Sequence, residues 1–139
     1  MYQLSQSNDI IIAAGQSNSI PYAFCTKNSL PVKQHPFLLG LQPDIILLCV
    51  NAHDSTEYVH NTIKYLEGAG QCSVCGMVLF PQTYYSDWRS RNNSKRKMSK
   101  EELIEVADRF KLEFNRPVYH LNDPDSIEEC ISNIVHLLS

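Results

Sequence analysis

The chain lacks both of the common glycine signatures for phosphate. There is no G-x-x-x-x-G-K-[ST] and no G-x-G-x-x-G anywhere in its 139 residues, and only five glycines occur in all. By itself it cannot cradle a triphosphate or a dinucleotide in either standard way. No apolar run approaches the roughly 20 residues that a membrane helix requires. The N-terminus has neither a basic start nor an apolar signal core, so the sequence predicts a cytoplasmic protein. The five cysteines (Cys25, Cys49, Cys72, Cys75, Cys130) are an odd number and three lie inside apolar runs, which fits reduced, mostly buried thiols better than a disulfide framework. A metal set is missing too. Cys72-x-x-Cys75 has no second pair to complete four zinc ligands, and the histidines are scattered without ligand spacing. A net charge of -3 excludes a general pull toward nucleic acid or an anionic membrane.

What is present is ordinary globular composition, 43% hydrophobic and 19% charged, long enough for one α/β domain over residues 1–139 with a core on both faces of a sheet. The organising stretch runs from Asn8 to Asp54. Asp9–Ala14 is an aliphatic run that stops at Gly15-Gln16-Ser17-Asn18-Ser19, and Pro43–Val50 is another that stops at Asn51-Ala52-His53-Asp54. Continuous aliphatic runs, as opposed to alternating ones, are what strands covered on both faces require. Ligands of such parallel sheets sit beyond the carboxyl ends of the strands, where these polar clusters fall.

The rest alternates. Ile20–Gln34 carries two prolines and no helical period, which predicts an ordered loop, and Pro36–Leu41 predicts a short helical turn. Asp54, with Glu57 three residues on, predicts a capped helix whose apolar positions are Tyr58, Thr62, Ile63 and Leu66, ended by Gly68 and Gly70. Cys72–Phe80 is a third strand stopped by Pro81. Gln82–Met98 reads as a long connection. Ser99 and Glu102 form a second capping box, before an apolar face of Leu103, Val106, Ala107, Phe110 and Phe114. Arg116–Leu121 is a fourth strand, placed at an edge by Pro117. Asn122 or Asp123 caps a last helix with Pro124 at its first position and Ile127, Cys130, Ile131, Ile134, Leu137 and Leu138 toward the core. The expected fold is therefore α/β, a three-layer Rossmann-like or P-loop-like domain with a mostly parallel sheet of about four strands.

The candidate ligand-binding residues are Gln16, Ser17 and Asn18 in the first polar turn and Asn51, His53 and Asp54 after what reads as the central strand. Arg89 and Arg91 join them from a basic connection that runs on to Lys100 and holds six of the chain's twelve lysines and arginines. Small polar residues at a strand end offer hydrogen-bond donors to a phosphate or carboxylate, and they also simply make turns. An imidazole beside a helix N-terminus is suited to acid–base work near neutral pH, whereas Asp54 has an equally good reading as a cap. A basic loop leaving the same sheet edge has a use if it folds over an anion. His120, near the end of the fourth strand, reaches the same edge. Tyr84, Tyr85 and Trp88 suit stacking on a base or anchoring the loop, but one basic loop on an acidic protein is not the continuous stripe that nucleic acid requires. No catalytic residue and no cofactor is named by any motif.

The order Asp9-Ile10-Ile11-Ile12, Gly15-Gln16-Ser17, Pro21-Tyr22, Leu38-Leu39-Gly40 and Gln42-Pro43-Asp44-Ile45-Ile46-Leu47-Leu48-Cys49 resembles the C-terminal part of a P-loop-fold family of uncharacterised proteins that includes D-glutamate N-acetyltransferases. Within it the chain is most similar to the "peptide maturation system" proteins of bacteria, often clostridia, that accompany ribosomally made, bacteriocin-type peptides. The likeness is best over Asn8–Pro81 and thinner over Asn115–Ser139. It implies the C-terminal portion of a two-domain architecture, with Asp9–Ala14 standing where a Walker B strand stands. Gly15-Gln16 occupies the place of the acid there, which argues against metal-assisted nucleotide hydrolysis. Two functions follow as expectations. One is an accessory protein of peptide maturation that binds an anionic ligand or a peptide partner at the C-terminal edge of the sheet. The other is an N-acyltransferase-like or nucleotide-binding half-domain using acetyl-coenzyme A or a nucleotide. An open sheet edge left by missing neighbours adds a homodimer to the expectations.

Overall fold

The computed structural model describes residues 10–14, 34–85 and 94–139. Within them the order is α1 (Gln34–Leu41), β1 (Ile45–Val50), α2 (Thr56–Gly70), β2 (Ser73–Leu79), β3 (Gln82–Tyr85), β4 (Ser94–Lys97), α3 (Lys100–Phe114), β5 (Val118–His120) and α4 (Pro124–Leu138). β1, β2 and β5 pair in parallel in the order β1-β2-β5, and β3 and β4 make a separate antiparallel ribbon. This is an α/β, Rossmann-like arrangement of a parallel sheet flanked by helices.

The layering follows from the connections. Both crossovers move the same way across the sheet, so two right-handed connections must lay α2 and α3 on one face, and these helices do touch each other. That face holds the core. Leu48 and Val50 of β1 stand level with Met77 and Leu79 of β2, and with Val59, Ile63 and Leu66 of α2 and Leu103, Ala107 and Phe110 of α3 they form one apolar cluster that also takes in Leu38 of α1. Burying each such aliphatic side chain stabilises the fold by about 1.5–3 kcal/mol. The alternate positions, Leu47, Cys49, Gly76, Val78 and Tyr119, share the opposite face. α4 packs there on β5, where Asn133 Nδ2 donates to Tyr119 Oη at 2.9 Å.

β2 carries a bulge. Ile46 pairs with Val74 but Leu47 pairs with Gly76, so Cys75 is the extra residue. The disrupted ladder is satisfied by side chains: Val74 N–H donates to Glu67 Oε1 at 3.1 Å, and Arg116 Nη1 donates to the Val74 carbonyl. Arg116 Nη2 also lies 3.1 Å from Glu67 Oε1, which ties the end of α2 to the starts of β2 and β5.

Several expectations are corrected. Ile10–Ala14 forms no strand, and Ile12 is 91% exposed; an aliphatic run supplies β propensity but not a neighbour to pair with. The described sheet therefore has three strands, and β1, expected at its centre, is an edge, with β2 in the middle. Gln82–Met98 is not a plain connection, since it contains the β3–β4 ribbon. Ser55, not Asp54, caps α2 by accepting from the Tyr58 N–H, and the helix ends on left-handed Gln71, past both glycines. The last helix buries no residue fully: Cys130 and Ile134 are half-buried, but Ile127, Ile131, Leu137 and Leu138 are exposed. The capping box of Ser99 and Glu102 and the Asp123 cap before Pro124 form as expected.

A Cβ on Gly76 would lie 2.9 Å from the Tyr119 ring and 3.2 Å from the Pro117 carbonyl oxygen, which accepts the Met77 N–H. Neither the ladder nor the half-pinned ring can retreat freely, so Gly76→Ala should destabilise the fold by about 1–3 kcal/mol in urea denaturation, with little change in the slope of the transition.

Candidate functional site at the carboxyl edge of the sheet

Because the sheet is parallel, all three strands deliver their chain to the same edge. β1 ends in Asn51-Ala52-His53-Asp54, β2 in Phe80-Pro81 and the β3–β4 ribbon, and β5 in Leu121-Asn122-Asp123. The turn after β1 is closed on itself. Asn51 N–H donates to Asp54 Oδ2 at 2.8 Å, and Asp54 N–H donates to the Asn51 carbonyl at 3.1 Å. Burial pushes the Asp54 carboxyl above its ordinary range, against the opposing pull of the Asn51 hydrogen bond and the His53 charge. Arg109, from α3, donates through Nη2 to the Ala52 carbonyl at 3.1 Å. Asp54 is thus a turn-forming residue, and His53 is exposed on that turn.

The ribbon builds the more open feature. Met98 N–H donates to the Pro81 carbonyl at 3.0 Å, closing its base. Ser99 then starts α3, and Glu102 both accepts the Ser99 N–H at 2.9 Å and grips Arg96 with two contacts of 2.5 and 2.6 Å. Arg96 is fixed in this way to the first turn of α3. Pro81, Gln82, Arg96, Lys97 and Asn122 line a cleft of about 390 Å³. Among the described residues its lining has two cationic side chains and no carboxylate. Glu102 offsets the charge of Arg96, and exposed Lys97 leaves the described lining net positive.

A second cleft, of about 240 Å³, opens between α3 and α4 beside β5, with Asp108, Lys111, His120 and Glu129 in its walls. The backbone N–H of His120 donates to Ser126 Oγ at 3.1 Å, while its buried Nδ1 has no hydrogen-bond partner. Four thiols lie among the described residues. Cys72 and Cys75 donate to the Leu66 and Ile46 carbonyls at 3.8 and 3.4 Å, and burial raises the pKa of both, as it does for Cys49 and Cys130. Among the described residues no three His, Cys, Asp or Glu side chains gather as a metal set, and no helix is long and apolar enough to cross a membrane.

Of the residues expected from the sequence, Asn51, His53 and Asp54 stand at the carboxyl edge but do not line the 390 Å³ cleft. Gln16, Ser17, Asn18, Arg89 and Arg91 lie outside the described residues, as does Trp88. Arg96 and Lys97 belong to the basic run that the sequence had marked as a whole. Gln82 has no site role in the sequence reading and Asn122 only that of a candidate cap, although each follows directly on a strand-end signal, Pro81 for the one and the end of the fourth strand for the other. Compared with family models, curated proteins and solved structures, the chain matches none.

The Arg96 guanidinium, and after it the Ser99 N–H, hold the Glu102 carboxyl at about 2 against an ordinary 4.5. Folding favours its charged form, so the contribution is complete above pH 4.5 and is lost as the pH falls toward 2. In urea titrations at stepped pH, the gap in midpoint between the parent chain and Glu102→Gln should shrink below pH 4.5. Ser99→Ala, which removes the reciprocal cap, should cost about 1 kcal/mol near neutral pH.

Proposed function

We propose that the chain is a cytoplasmic accessory protein of a bacterial peptide maturation system that binds an anionic ligand in the cleft between Pro81, Gln82, Arg96, Lys97 and Asn122. The observation that carries the binding is the charge of that cleft: among its described lining residues exposed Lys97 stands beside an Arg96 already positioned by Glu102, with no carboxylate. A fixed guanidinium and a free ammonium suit a phosphate or carboxylate group, the first by geometry and the second as a point charge. The peptide-maturation setting is supported by the resemblance over Asn8–Pro81.

The described residues contain neither a nucleophile beside a base nor a phosphate loop, and the Cys72–Cys75 thiols are engaged with backbone carbonyls. Binding without chemistry is the reading they favour. The anion, whether a nucleotide, coenzyme A or a carboxylate of a peptide, is a matter for titration.

Thermal-shift titration with ATP, GTP, coenzyme A, acetyl-coenzyme A and a glutamate-rich peptide should give a saturable rise with at least one of them, equivalent to about 2.7 kcal/mol at a hundred times the dissociation constant. Lys97→Glu should abolish that rise while the unliganded melting temperature holds. His53→Ala should leave it in place, because His53 is outside the cleft. Silence from all five compounds, or a rise that survives Lys97→Glu, removes this cleft as the site.

A further inference from the structure

Arg96 belongs to two structures at once. Its side chain lines the strand-end cleft, while its Nη1 and Nη2 groups reach Glu102, on the first turn of α3, at 2.6 and 2.5 Å. Each carboxylate oxygen of Glu102 takes one of them, which is the forked geometry in which a guanidinium binds carboxylates and phosphates most firmly. That fork is also what a ligand anion entering the cleft would seek. Glu102 does not line the cleft, so the chain supplies an anion of its own, from outside, to a cation of the cleft wall.

The contact is built to be exchanged. Both side chains are 38% exposed, and an ion pair with that much water around it contributes little to stability. Glu102 keeps partners when Arg96 leaves it: its Oε2 accepts the Ser99 N–H at 2.9 Å, and an acid in the first turn is favoured by the positive end of the helix in any case. Released Glu102 is therefore neither buried nor orphaned. The backbone of Arg96 also stays in place without it. Arg96 pairs with Thr83 and Lys97 with Gln82 in the ribbon, whose base is closed by the Met98 N–H on the Pro81 carbonyl. The larger effect of Glu102 is thus on the charge of Arg96. Because the Arg96 guanidinium holds the Glu102 carboxyl at about 2, Glu102 is ionised wherever carboxylates and phosphates are themselves charged.

We propose that Glu102 is a built-in competitor for the cleft: it occupies the Arg96 fork in the unliganded chain, and an oxyanion entering beside Lys97 takes that fork over from it. The inference rests on the anion-binding cleft proposed above and adds its regulation. The resting cleft binds more weakly than Arg96 and Lys97 together would allow, and its occupation leaves Glu102 on the Ser99 N–H alone. A group that offers two oxygens to the fork and a charge to Lys97, such as a carboxylate, sulfonate or phosphate, makes the exchange without a net loss of hydrogen bonds at Arg96.

The test is an NMR titration of the full, nitrogen-15-labelled chain with ethane-1,2-disulfonate in low-salt buffer near neutral pH. Saturable shifts should appear at the backbone N–H groups of Gln82, Lys97 and Asn122, and Lys97→Glu should abolish them. Glu102→Gln keeps the side-chain length and the reach to the Ser99 N–H, and it should tighten the dissociation constant about fivefold. Ser99→Ala weakens the cap of α3 but leaves the contact with Arg96, and it should not change the dissociation constant. The direction of the change separates competition from support, because damage to α3 or a lost orientation of Arg96 would weaken binding. If Glu102→Gln binds no tighter than the parent chain, or if Ser99→Ala tightens binding equally, while Lys97→Glu still abolishes the shifts, the competitor is overturned and the cleft stands. If the parent chain shows no saturable shift, or the shifts survive Lys97→Glu, the cleft falls and the competitor with it.

Discussion

The constraint on which the rest of the fold depends is that β2 is buried on both faces. Val74, Met77 and Leu79 are sealed by α2 and α3, while Gly76 and Val78 are sealed from the other side with Tyr119 and Pro117 close by. A strand in that position has no water to satisfy its backbone, so every N–H and carbonyl must find a protein partner. This is why the bulge at Cys75 matters. It breaks the ladder beside Val74, and Glu67 of α2 supplies the missing acceptor while Arg116, in the chain entering β5, supplies the missing donor. The same two side chains therefore repair the central strand and fix where its neighbours begin. The rise of α2, the bulge and the edge strand are linked through one ion pair.

The asymmetry of the two layers follows from the order of the strands. Crossovers that move in one direction put their helices on one face, so α2 and α3 share one layer and, among the described residues, α4 alone lies on the other. A helix over one edge strand cannot cover a sheet three strands wide. The exposed flank of α4 and the half-covered floor of β1 are consequences of connectivity, not of a poor helix: α4 is capped by Asp123, begins with Pro124 and carries a continuous apolar stripe.

The elements that were legible in the sequence are those whose signals are local. Caps at Ser99 and Asp123, the apolar period of α3 and the unbroken aliphatic runs of β1 and β2 specify helix or strand without reference to the rest of the chain. Signals that depend on a partner were not legible. Asp9–Ala14 has the composition of a buried strand, yet Ile10–Ala14 pairs with nothing described, because composition cannot say whether a neighbour is present. The period of α4 announces an apolar face but not whether the fold covers it. The β3–β4 ribbon escaped notice for a related reason. It is short, and half of it is Ser-Lys-Arg-Lys, which reads as a solvated loop. Ser55 displaced Asp54 as the cap because Asp54 is engaged with Asn51, a competition between two acceptors one residue apart that spacing alone does not resolve.

The candidate site shows the same division. Open α/β sheets form their ligand crevice where the strand order reverses, since adjacent connections then diverge to opposite faces and part the strand ends. Among the described strands there is no such reversal: the path from β1 to β2 to β5 keeps one direction. Nothing separates the end of β1 from its neighbour, so the Asn51–Asp54 turn closes on its own hydrogen bonds. A cleft at this edge has to be made by added structure, and the β3–β4 ribbon supplies it by rising from Pro81 and returning through Met98 to the cap of α3. The rule that places ligands at strand ends was thus a sound guide to the edge. Which strand's end is open was decided by the β3–β4 ribbon, which carries Arg96 and Lys97.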